Sequence, residues 1–113
     1  IHSPLVPIAA TDFSLRVYTY DDNQNGEDFN MTFFALANDD YQHKIPYLKQ
    51  AMELQKDNGG LKLFATPWTP PFWMKDDVNF KGGAMIKGGE DGPYYSSYAK
   101  YFVKFFEAYL AEG

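Results

Sequence analysis

Connection lengths constrain this chain more than any single residue does. Two β-prone stretches are each followed by a long loop and a helix, yet the first helix returns to the next stretch through only Asn58-Gly59-Gly60. Alternating β and α units predict a parallel sheet. Long loops on one side of the sheet and short ones on the other are the asymmetry of (β/α)₈ barrels, whose active sites are built from the βα loops. A complete barrel takes about 250 residues. Residues 1–113 are therefore expected to form part of a TIM barrel, an α/β fragment of two successive βα units that does not close by itself.

The units are read from local pattern. Leu5-Val6-Pro7-Ile8-Ala9-Ala10 is a short apolar run of the buried-strand kind, although Pro7 counts against a central position in a ladder. Arg16-Val17-Tyr18-Thr19-Tyr20 is a second β-prone piece, and Leu61-Lys62-Leu63-Phe64-Ala65 alternates apolar and polar residues. Asp39 or Asp40 can cap a helix whose apolar face carries Ile45, Leu48 and Met52, with Pro46 near its start and Gly59-Gly60 as its stop. Pro93 opens a second helix in which Tyr95, Tyr98, Phe102, Phe105 and Tyr109 recur at three- and four-residue steps. Such a stripe is expected to be core.

The charge balance narrows the partners. A net charge of −5 gives no basic face with which to neutralise phosphates, so nucleic acid is excluded as a partner. The chain has no cysteine, hence neither disulfides nor thiolate metal sites. No apolar run approaches the roughly 20 residues that span a bilayer. The opening Ile1-His2-Ser3-Pro4 has neither a signal peptide's pattern nor an initiator Met, and is read as the start of a fragment.

Aromatic residues make up 19% of the chain, and both tryptophans fall in Thr66-Pro67-Trp68-Thr69-Pro70-Pro71-Phe72-Trp73-Met74-Lys75. Proline ends the preceding strand and stiffens the turn. Indole faces on a rigid support suit a sugar ring; the alternative is a Pro-rich turn whose tryptophans plug a core. Thr11-Asp12-Phe13-Ser14 follows the first strand, where polar side chains of α/β proteins reach ligands. A loop Asp that caps backbone N–H groups is the structural alternative.

Asp21, Asp22, Glu27, Asp28, Asp39 and Asp40 lie in a stretch without Lys or Arg and are read as a mostly solvated loop. The alternating spacing of a calcium loop is absent, so no metal site is assigned. Asn30-Met31-Thr32 in this loop permits N-glycosylation at Asn30. The later glycine-rich connection, with Gly82, Gly83, Gly88, Gly89 and Gly92, lacks the Gly-Lys-Ser/Thr of a phosphate-binding loop.

Several motifs then stand in a familiar order: Val6-Pro7-Ile8, Thr11-Asp12-Phe13-Ser14, Tyr18-Thr19-Tyr20-Asp21-Asp22, Lys44-Ile45-Pro46, Trp68-Thr69-Pro70-Pro71-Phe72-Trp73 and Tyr101-Phe102-Val103-Lys104-Phe105-Phe106. The chain resembles the lysosomal glucosylceramidases (acid β-glucosidases) of glycoside hydrolase family 30 over nearly its whole length. The resemblance implies strands 2 and 3 and helices 2 and 3 of the family's barrel, and a retaining β-glycosidase with two catalytic carboxylates roughly 5 Å apart. The family's acid/base Glu lies in an Asn-Glu-Pro motif after the fourth strand, and its nucleophile follows the seventh. Neither occurs here, so no catalytic residue is assigned and the chain alone is expected to be inactive.

The family's sugar-binding positions carry over to Asp12, which would hydrogen-bond glucose hydroxyls, and to Trp68, which would line the glucose pocket. Phe13 and Trp73 are expected beside them as walls or support. Leu5 stands where the family commonly has an Arg. The resemblance also implies glucosylceramide or another β-glucoside as substrate, no cofactor, lysosomal or secreted placement, an anionic lipid surface, a saposin-type activator and the remainder of the barrel as partners. Relatives acting on β-1,6-glucan, β-xyloside or xylan are the alternative within the fold, and a non-catalytic sugar-binding module is the alternative outside it.

Overall fold

The computed structural model describes residues 18–23, 25–67, 69–77 and 85–113. The strand expected at 5–10, Arg16, Asp12, Phe13 and Trp68 lie outside the described residues. Within them the order is a π-helical turn Asp40–Lys44, helix α1 (Ile45–Gln55), a 3₁₀ turn Lys56–Asn58, a second 3₁₀ turn Phe72–Met74, and helix α2 (Pro93–Ala111).

The helices begin and end where the sequence signals place them. Pro46 sits in the first turn of α1 and Pro93 in that of α2, where a missing N–H is harmless. After α1 the chain turns at Gly59, whose φ of 89° is the left-handed conformation that glycine adopts without Cβ strain. Asp39 precedes the π-helical turn but makes no side-chain cap. Asp40 instead reaches back, its Oδ2 accepting from the Ala37 N–H at 3.0 Å.

Among the described residues, the strand expected at 61–65 is not present as a strand. Residues 61–65 are extended without a ladder, and among the described residues the only β pairing is an antiparallel bridge between Lys75 and Ile86. A strand is defined by its neighbour's N–H and C=O groups, and none pairs with 61–65 among the described residues. Leu63 and Phe64 accordingly stay 41% and 45% exposed. Together with Ile45, Leu48, Phe105 and Phe106 they line an apolar groove of about 280 Å³ between α1 and α2.

The core lies between α2 and the loop that precedes α1. The buried line on α2 is Ser97, Tyr101 and Phe105, at i, i+4 and i+8. Tyr98, Phe102 and Tyr109 flank it, so the stripe expected from spacing is offset: Tyr101 is its centre and Tyr95 does not join the core. Tyr20 stacks on Tyr101 and Phe105 at ring separations of 6.2 and 6.0 Å, and Phe34 meets Tyr101 edge-on at 5.2 Å. The Tyr20 N–H donates to the Tyr101 hydroxyl at 3.2 Å, which closes the layer.

Candidate functional site

The acidic loop is built rather than solvated, which corrects the sequence expectation. Asp21, Asp28 and Asp40 are all buried. A loop without a ladder must satisfy its backbone donors locally, and short carboxylates do this well. Asp22 accepts from the Thr19 N–H at 2.6 Å and from its hydroxyl, and Asp28 accepts from the Phe33 N–H at 2.7 Å. Asp40 Oδ1 accepts from Tyr20 Oη at 2.8 Å, Tyr109 Oη at 2.7 Å and Lys44 Nζ at 3.2 Å. Burial, then the Asp40 charge, drives the Tyr20 hydroxyl far above its ordinary range, so it remains a donor.

The same Asp28 scaffold holds the glycosylation tripeptide. The Met31 N–H donates to the Asp28 carbonyl at 3.0 Å, and Met31 takes a φ of 56° with its side chain buried. Asn30 and Thr32 on either side of it are exposed.

Trp73 lies in the 3₁₀ turn Phe72–Met74, launched by Pro71 in an extended conformation. Its ring is only 5% exposed, edge-on to Phe29 at 5.8 Å and tilted against Tyr94 at 6.2 Å. Its indole N–H donates to the main-chain oxygen of Asp21 at 3.1 Å. Its own carbonyl accepts from Lys87 Nζ at 3.0 Å, and that ammonium sits 5.6 Å from the Tyr94 ring centre. The Tyr94 hydroxyl donates to Glu27, and the Ser97 hydroxyl donates to the Phe29 carbonyl at 2.9 Å. Both loops are thus fastened to each other and to the first turns of α2.

Trp68, outside the described residues, is flanked by exposed Pro67 and buried Thr69. Asp12 and Phe13, also outside them, precede the loop that receives the Trp73 indole. Of the four expected sugar-binding residues, the structure describes Trp73, facing inward between Phe29 and Tyr94.

One group was missed by the sequence reading. The Asp21 carboxyl is fully buried, and among the described residues neither oxygen has a hydrogen-bond partner. Burial first, then the charges of Asp28 and Asp22, push its pKa up to about 6, with the Trp73 indole opposing. Adjacent acids in a cation-free stretch were the available signal; which of them is buried depends on contacts with α2 and the Trp73 turn.

This geometry sits within a recognisable family. The model of the glycosyl hydrolase family 30 TIM-barrel domain matches residues 2–113. The chain belongs to glycoside hydrolase family 30. It is 49% identical over 108 residues to putative glucosylceramidase 4 of Caenorhabditis elegans, covering 96% of this chain and 20% of that protein. It is 41% identical to mouse lysosomal acid glucosylceramidase, again covering 96% of this chain and 20% of the relative. Among solved structures, an endo-β1,6-glucanase superposes with a TM-score of 0.68 at 33% identity, over 95% of this chain and 22% of its own. The chain spans about a fifth of the length of the curated relatives it matches. The family's barrel also accounts for the long βα loops and the short Asn58-Gly59-Gly60 return.

Proposed function

We propose that this chain supplies part of the sugar-binding wall of a retaining β-glucosidase that cleaves glucosylceramide. The observation that carries the reading is whole-chain similarity to glucosylceramidases of worm and mouse at 49% and 41% identity. Asp12 would accept hydrogen bonds from adjacent glucose hydroxyls, a charged and therefore strong acceptor. Trp68 would line the pocket with its π-face and indole N–H. Phe13 completes the wall, and Trp73 supports it from behind by tying the two loops together. The two carboxylates that a retaining mechanism requires come from outside these residues, so the chain alone is inactive.

The apolar groove between α1 and α2 suits the neighbouring strands of the same barrel, which are the chain's first partner. A lysosomal setting, an anionic lipid surface and a saposin-type activator follow from the glucosylceramidase reading. A β-1,6-glucanase is the second reading, supported by the glucanase structure at 33% identity.

In the full-length protein, Asp12→Ala and Trp68→Ala should each lower kcat/KM on an aryl β-glucoside by roughly tenfold to a hundredfold, about 1.4–3 kcal/mol of lost transition-state binding. Unchanged kinetics in both variants, with folding intact, would remove the site assignment. Turnover of β-1,6-glucan but not glucosylceramide would select the second reading. Asn30→Gln should abolish one glycan-sized mass shift in protein from a secretory host; an unchanged mass would show that the exposed turn is not modified.

A further inference from the structure

We propose that Asp21 is a proton-linked positioning residue: its buried, unpartnered carboxyl holds the seat of Trp73 more tightly in acid than at neutral pH. An ionised carboxylate with no hydrogen-bond donor is strongly disfavoured in a protein interior, whereas the neutral acid is tolerated. Asp21 is fully buried, with both oxygens unpartnered, while its main-chain oxygen accepts the Trp73 indole N–H. Charging the side chain therefore loads the residue that joins the two loops.

The groups facing Asp21 come from three elements. Asp22 and Asp28 belong to its own loop, Trp73 to the 3₁₀ turn, and the Tyr101 hydroxyl to α2. Among the described residues no cation faces it; the two acids oppose ionisation and the Trp73 indole, a smaller influence than burial, favours it. The Tyr101 hydroxyl is itself driven up by burial and stays neutral throughout.

The sign follows from linkage. The folded value of about 6 lies above the ordinary 3.8, so the stability associated with Asp21 is fully present below pH ~4 and falls as pH rises toward 6. Above pH ~6 both states are ionised and the loss is constant. Between pH 5 and 7 the opening equilibrium of the Trp73 turn should rise about tenfold. Asp21→Asn, which cannot ionise, should stay at the acid-state level throughout.

The inference concerns the loop seat and stands whether or not the substrate reading above is right. The test is hydrogen–deuterium exchange of amides in 69–77 of the full-length protein at pH 5 and pH 7, corrected for intrinsic exchange chemistry. The expected result is about tenfold more opening at pH 7 in the wild type and none of that difference in Asp21→Asn. Equal opening at both pH values in the wild type would overturn the proposal, and so would an Asn variant that keeps the full difference. If the Asn variant fails to fold, the wild-type comparison alone decides. Loss of glycosidase activity would leave this measurement unaffected.

Discussion

Replacing Asp40 with alanine should destabilise the fold by about 3–5 kcal/mol, the range seen when one partner of a buried charge network is removed. One oxygen of Asp40, itself 0% exposed, gathers two tyrosine hydroxyls and an ammonium, and the other accepts a backbone N–H. The donors come from the loop, from the turn before α1 and from the far end of α2. Without the carboxylate, Tyr20 and Tyr109 each lose their acceptor, and a buried donor deprived of its partner costs about 1–3 kcal/mol. Asp40→Asn separates charge from geometry. Its oxygen can still accept from the tyrosines, but its amide then faces the Ala37 N–H, donor against donor. A loss of about 1–3 kcal/mol is expected. Tyr109→Phe removes a single donor and should cost about 1 kcal/mol. The measurement is the urea midpoint at unchanged slope, and an alanine variant within 1 kcal/mol of the wild type would show that water replaces the hub.

Trp73→Ala should cost about 3–5 kcal/mol, as large aromatic deletions in cores do. The ring's contacts with Phe29 and Tyr94 are lost, and the Asp21 carbonyl loses its donor. Trp73→Phe keeps most of the apolar contact but not the N–H, and a loss of about 1–2 kcal/mol is expected. Because Trp73 is buried, thermal stability should fall in both variants, with KM changing far less. A Trp73→Phe variant with unchanged Tm and a raised KM would make this ring a sugar contact instead. The experiment therefore separates the two roles the sequence left open for the Pro-rich turn.

The legibility of these residues differed for physical reasons. Both helices were readable because prolines at their starts, glycine at the end of α1 and a 3.6-residue apolar period are local signals. The α2 stripe holds except at Tyr95, and spacing does not single out its centre, Tyr101. Spacing alone ranks Tyr95 and Tyr98 with Phe105, whereas Tyr101 wins the centre by stacking on Tyr20, which is 81 residues away. The 61–65 stretch had the alternation of a strand, but a strand requires neighbouring backbone as well as its own pattern. The acidic loop failed most completely, because charge predicts exposure unless donors are brought to it.

The sequence by itself determined the family and the helix ends, since each rests on motif order or local backbone chemistry. Only the tertiary structure decided that Trp73 turns inward, that Asp40 is a hub, and that Asp21 is buried without a partner. Those three outcomes depend on which distant groups share a small volume, and burial in that volume is what turns a carboxylate from a solvated charge into a structural or proton-linked one.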